Sequence, residues 1–178
     1  PFLSAAELGQ LIRNKEVSPV EATDAYLERI DALDFKFNAF ITVCRGEARE
    51  AARQAESEIA RGDHRGPLHG VPVSVKDQLW TKGVRTTGAS PTLAHWVPDE
   101  DATVVARLKQ AGAIILGKTN MSELAISGAS HRYSVPRNPW NLDMYTGGSS
   151  SGSAAAAAAF LSATTIGEDT YGSVRWPS

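Results

Sequence analysis

Apolar and polar positions follow two rhythms along this chain, one of helical period and one of strand-like runs. Ser4-Ala-Ala-Glu7 and Ser18-Pro-Val-Glu21 each set a hydroxyl three residues before a carboxylate. That is the capping-box pattern that opens helices. Pro19 takes the first helical position, where a missing N–H costs nothing. Behind it Ala22, Tyr26, Ile30 and Leu33 recur at helical spacing, which predicts one buried face. Phe37 to Val43 reads as a short strand, and Glu47 to Arg61 as a polar, Ala- and Glu-rich helix ended by Gly62. The β-branched run Gly70 to Asp77 predicts a strand, with Pro72 confined to its start or to a sheet edge. Ala102 to Gln110 predicts a helix with Val105 and Leu108 inward and Gly112 just past its end. Ala113 to Gly117 predicts a short buried strand, Ser153 to Ala163 a helix, and Thr164 to Gly167 a last strand. Asn138 to Asp143 reads as loop.

Strands alternating with helices predict an α/β layered fold. No internal repeat or linker divides the chain, so residues 1–178 are expected to form a single domain. The alternation is still running when the sequence stops. Val174 and Trp176 have nothing downstream to bury them, and an incomplete domain with these residues and one sheet edge exposed is expected.

Composition narrows the function classes. At 42% hydrophobic and 21% charged the chain is ordinary for a globular protein. A net charge of -2 without a basic stripe argues against direct nucleic-acid binding. No apolar stretch reaches the roughly 18 residues of a membrane span. The N-terminus has no signal-peptide pattern, so a cytoplasmic protein with no membrane partner is expected. The lone Cys44 excludes an internal disulfide framework, and its apolar run reads as core rather than nucleophile.

The chemistry concentrates in two serine-glycine clusters, Thr146-Gly-Gly-Ser-Ser-Ser-Gly-Ser153 and Gly167-Glu-Asp-Thr-Tyr-Gly-Ser173. The first could be a flexible linker, yet it runs straight into an alanine block. Gly148-Ser-Ser-Ser-Gly152 matches G-x-S-x-G, with Ser150 as nucleophile. An elbow of that kind needs a strand before it and a histidine after it, and all four histidines come earlier. No phosphate-binding G-x-x-x-x-G-K-[ST] is present, the histidines lack metal-ligand spacing, and no carboxylate pair stands out. That leaves serine with lysine. A serine hydroxyl needs a base to become nucleophilic, and lysine serves if burial lowers its pKa. Lys76, at the end of an apolar strand, is the candidate, although on position alone a surface lysine paired with Asp77 is the stronger reading.

Five segments in order resemble the amidase signature family: Gly70-Val-Pro-Val-Ser-Val-Lys-Asp77, Leu116-Gly-Lys-Thr-Asn120, Asn138-Pro-Trp140, Gly147-Gly-Ser-Ser150, and Gly167 through Arg175. The resemblance implies a mixed central sheet covered by helices on both faces, of which this chain holds the N-terminal part. It implies amide hydrolysis with Lys76 as base, Ser149 as bridging serine in a cis peptide, and Ser173 as nucleophile. The backbone N–H groups of Thr170, Tyr171, Gly172 and Ser173 are implied as oxyanion donors. Asp169 and Arg175 match positions that order the loop, with a plain structural ion pair as an equal alternative. A small-molecule amide is the implied substrate and no cofactor or metal is called for. A homo-oligomer stays open. Within the family, a glutaminase subunit of a transfer-RNA amidotransferase is the other activity implied, and a non-catalytic homologue or inactive fragment is a third reading.

Three positions depart from the pattern. Ser151 stands where glycine is common, Glu168 where a small or hydroxyl residue is common, and Tyr171 where a glycine precedes Gly172-Ser173. Tyrosine keeps the N–H but resists positive φ, and its ring is expected to narrow the acyl side of the pocket.

Overall fold

The computed structural model describes residues 1–126, 128 and 130–178. Two helices open the chain, α1 (Ala5–Arg13) and α2 (Pro19–Phe37), and both carry complete capping boxes in which serine and glutamate satisfy each other's N–H groups. Tyr26, Leu27 and Ile30 of α2 are buried. The expected strand from Phe37 is corrected at its start. Phe37 ends α2, Asn38 turns left-handed at φ 52°, and Asp34 Oδ1 and Oδ2 accept the N–H groups of Ala39 and Phe40. Strand β1 is therefore only Phe40–Val43.

Helix α3 (Arg45–Ala60) packs on α2, burying Ala48, Ala52, Ala55 and Ile59. Strand β2 (Pro72–Lys76), helix α4 (Thr103–Gln110) and strand β3 (Ile114–Thr119) follow. A hairpin then appears where the sequence reads as loop, β4 (Arg137–Asn138) with β5 (Asn141–Tyr145). Side chains hold its turn: Asn138 Oδ1 accepts from Trp140 N–H and Asn141 Oδ1 from Asp143 N–H. Helix α5 (Ser151–Ala158) and strand β6 (Thr164–Ile166) complete the order.

Helix α5 starts two residues before the expected Ser153 and ends five before the expected Ala163. Phe160 adopts φ 54°, Phe160 N–H bonds Ala157 O, and Leu161 N–H bonds Ala156 O. This double closure ends the helix although alanine would continue it.

The main sheet runs β1-β3-β2-β6, antiparallel between β1 and β3 and parallel elsewhere, so it is mixed. Every residue of β2 and β3 is buried, which requires cover on both faces at the sheet's centre. Pro72 begins a central strand, as its missing N–H requires. In the β2–β3 register Lys76 lies beside Thr119 and Val75 beside Lys118. Alternation sends Lys76 and Thr119 toward α5, where Thr119 Oγ1 meets Ser153 Oγ at 2.7 Å. Lys118 and Asp77 take the opposite face, 3.9 Å apart. At the far end, Trp176 is exposed as expected, whereas Val174 is half-buried against Gly167. Among the described residues, no helix is long and apolar enough to cross a membrane.

Candidate active site

Lys76 ends a strand buried on both faces, so its stem runs through the core and its side chain is 0% exposed. The surface-lysine reading with Asp77 is thereby excluded. Lys76 Nζ donates to Ser149 Oγ at 2.7 Å. Burial pushes this ammonium below the usual lysine range, while the Glu168 carboxylate, and beyond it Asp169, act to raise it.

Ser149 is set by the turn between β5 and α5. The Gly148–Ser149 peptide is cis, as the resemblance implied. Ser149 O accepts from Ser122 N–H at 3.1 Å. A Cβ on Gly148 would lie 2.5 Å from Tyr145 Oη and 2.9 Å from Ser122 Oγ, so a side chain there would have to displace both hydroxyls. Gly152 N–H bonds Asn120 O at 2.8 Å, pinning the start of α5 to the end of β3. The first cluster is thus a fixed part of the fold, and the linker reading is excluded.

The nucleophile-elbow reading fails on geometry as well as on the order of the histidines. A strand, β5, does precede the motif, but it belongs to the separate hairpin. Ser150 Oγ is engaged by the second cluster, donating to Glu168 O at 3.2 Å and accepting from Glu168 N–H at 3.3 Å. Ser150 N–H also donates to Ser173 O at 3.1 Å. Ser150 therefore clasps the two clusters together, a role that no sequence motif announces. Its neighbour Ser151 is buried in the first turn of α5, its Oγ unbonded among the described residues.

The loop after β6 carries Ser173. Asp169 organises it, accepting from the N–H groups of Gly172, Val174 and Arg175 and from two nitrogens of the Arg175 guanidinium at 3.0 and 3.1 Å. Arg175 first, then those backbone donors, hold the Asp169 carboxyl far below the usual range. Two expectations change here. The Gly172 N–H, expected among the oxyanion donors, is taken by Asp169 Oδ1 at 2.7 Å. The N–H groups of Thr170, Tyr171 and Ser173 make no hydrogen bond among the described residues. Tyr171 does not need positive φ, because Gly172 supplies it at 99°. Its ring is 98% exposed and lines no described cavity, so the expected narrowing of the acyl pocket by Tyr171 is not seen.

The structure brings Lys76 and Ser149 into contact and ties the Ser173 backbone to Ser150. Ser173 Oγ itself bonds neither of them among the described residues. Glu168 enters the site in a way the sequence did not foretell. Its Oε2 lies 3.3 Å from Lys76 Nζ and 2.9 Å from Gln78 Nε2, and its Oε1 accepts from Thr170 Oγ1. Gln78 left no signal either, because it lies in the turn after β2, closed by Leu79 N–H on Lys76 O at 2.9 Å, and not on the strand itself.

A cleft of about 650 Å³ adjoins this junction, walled by Trp140, Tyr145, Ser150, Gly167, Val174 and Trp176. A second cavity of about 290 Å³ is lined by Cys44, Glu58, His69 and Lys109, and neither cavity is lined by Lys76, Ser149 or Ser173 themselves.

Comparison with known proteins shows what the chain as a whole is similar to. The family model described as Amidase matches residues 21–178. The chain is 52% identical over 178 residues to the A subunit of glutamyl-tRNA(Gln) amidotransferase from Geobacter metallireducens, covering 99% of this chain and 36% of that protein. Its counterpart from Moorella thermoacetica is 48% identical over 179 residues, with 99% and 37% covered. Among solved structures, native peptide amidase from Stenotrophomonas maltophilia superposes with a TM-score of 0.94 at 39% identity, covering 99% of this chain and 38% of that one. A 6-aminohexanoate cyclic dimer hydrolase superposes at 0.89 with 33% identity, covering 98% and 36%. The chain spans under two-fifths of the length of each of these proteins. Sequence, sheet topology and family match agree: the chain belongs to the amidase signature family.

Proposed function

We propose that the protein to which this chain belongs hydrolyses an amide through a serine nucleophile and an acyl-enzyme. The observation that carries this reading is the buried Lys76 Nζ–Ser149 Oγ contact of 2.7 Å, clasped through Ser150 to the loop that bears Ser173. Neutral Lys76 takes a proton from Ser149, and Ser149 takes one from Ser173 as its Oγ attacks the carbonyl carbon. This step needs Ser173 Oγ to come within about 3 Å of Ser149, a tightening that substrate-free sites undergo on binding. The proton then returns through Ser149 to the leaving nitrogen, which departs poorly unless protonated. Water hydrolyses the ester and releases the acid. The free N–H groups of Thr170, Tyr171 and Ser173 are the donors left to meet the oxyanion, and one such donor is worth about 10²–10³ in rate.

A second reading has its own support. The relatives at 52% and 48% identity are A subunits of amidotransferases, ahead of the peptide amidase at 39%. On that reading the amide is the side chain of glutamine, and partner subunits receive the ammonia.

The test is ammonia release by the full-length protein from small amides and from glutamine, beside labelling with a serine-reactive fluorophosphonate. Hydrolysis with label on Ser173, both lost in Ser173→Ala, is the expected result. Label on another serine, or turnover that survives Ser173→Ala, rejects the assignment. Glutamine turnover that appears only with amidotransferase partners selects the second reading.

A further inference from the structure

We propose that Glu168 is a positioning residue that holds the Lys76 ammonium in the substrate-free site and so sets the pH at which the Lys76–Ser149 pair begins to work. This rests on the reading of Lys76 as the base of the relay. The geometry is direct. Glu168 meets Lys76 twice, through its carboxylate Oε2 and its carbonyl O, each at 3.3 Å from Nζ. The carboxylate is fixed from two further sides, by Gln78 Nε2 at 2.9 Å and by the Thr170 hydroxyl. Its backbone is held by Ser150 Oγ. Glu168 is therefore braced on the lysine rather than waving in solvent.

No other carboxylate competes for that place among the described residues. From β3, Lys118 turns to the opposite face with Asp77, whose Oδ2 accepts from Thr87. Strand β6 and helix α5 bring no ionisable side chain. From the loop, Asp169 is spent on Arg175 and three backbone N–H groups.

The sign follows. Burial favours neutral Lys76, and the adjacent carboxylate favours the ammonium. A base must be neutral to accept the Ser149 proton, so Glu168 delays activity to higher pH. Removing its charge should let Lys76 lose its proton at lower pH.

The experiment uses the full-length protein with isotope-labelled lysine and follows the Lys76 titration by NMR, assigned with Lys76→Met. In parallel, kcat/KM is measured against pH for the parent, Glu168→Gln, Glu168→Ser and Glu168→Asp. The Lys76 midpoint should move to lower pH in the Gln and Ser variants and stay near the parent's in Asp. The acid limb of the activity profile should move with it, raising kcat/KM at a fixed pH on that limb about tenfold. A role in shape alone would be served by the isosteric Gln and would leave both midpoints in place. An unmoved Lys76 midpoint overturns the inference, as does an acid limb that stays while the midpoint moves. If the parent hydrolyses no amide, the failure falls on the hydrolase reading, and the Lys76 titration by itself still upholds or overturns the hold of Glu168 on the ammonium.

Discussion

Two glycines, each the second residue of its helix, do opposite things, and the atoms around them tell which is which. A Cβ on Gly152 would lie 2.4 Å from Asn120 N and 2.5 Å from both Ala39 O and Asn120 O. All three are backbone atoms of the strand junction that seats the Ser149 turn, so none can yield cheaply. Gly152→Ala should therefore destabilise the protein by about 1–3 kcal/mol. Gly46, exposed in the first turn of α3, has nothing within 4 Å of such a Cβ. Gly46→Ala should stabilise by about 0.5 kcal/mol through the unfolded state. Urea unfolding of both variants checks the pair, and equal midpoints would show that the close approach at Gly152 is relaxed away. At Cys44 burial first, then Glu47, pushes the thiol up to about 11 from an ordinary 9.0. Since the thiolate is the reactive form, a disulfide reagent at pH 8 should label Cys44 only after unfolding. Between pH 9 and about pH 11 the unfolded chain releases a proton that the folded chain keeps, so this residue's contribution to stability is lost as pH rises there. Rapid labelling of the folded protein would contradict the burial.

Elements with a strong local signal could be read from the sequence, and those that depend on partners could not. The capping boxes at Ser4 and Ser18 were legible because both halves lie within three residues, and the buried strands β2 and β3 because β-branched runs have few other uses. Phe37 misled because Phe37-Asn-Ala39 alternates like a strand and runs into Phe40–Val43, while the stop that Asn38 and Asp34 impose depends on one left-handed residue. The hairpin β4–β5 left no periodic trace since all five residues of β5 are exposed. Lys76, Ser149 and the cis bond were legible through resemblance, whereas Glu168's grip on Lys76 and Ser150's clasp are contacts across the fold that no local pattern encodes. The loop 168–175 is an element in its own right, ordered by Asp169. Asp169→Asn replaces the charge facing Arg175 and weakens the hold on three N–H groups. It should lower kcat/KM about 10²-fold with little change in melting temperature, because the loop adds no strand or helix. A parallel collapse of melting temperature would mean that Asp169 serves the fold and not the loop. Since the Asp169 carboxyl lies far below the usual range, no acid limb of the activity profile should arise from it near neutral pH.

At the scale of the molecule, the site exists only because the fold joins distant stretches. Lys76 and Ser149 are 73 positions apart, and Ser150, Glu168 and Ser173 come from either side of β6. Such a site has no partial form in the unfolded chain, so its members should act as one unit or not at all. If the proton passes from Ser173 through Ser149 to Lys76, removing either later station breaks the same path. Lys76→Met and Ser149→Ala should each lower kcat/KM by about 10²–10⁴. The double variant should be no worse than the poorer single one, because a path already broken loses nothing further. The alternative is that Lys76 acts electrostatically on the loop, through Glu168 for instance, while Ser149 acts on its own. Independent effects of that kind multiply. Measuring kcat/KM for parent, both single variants and the double variant of the full-length protein on one amide separates the two. A double variant that falls by the product of the single losses would leave Lys76 and Ser149 in contact yet not in relay.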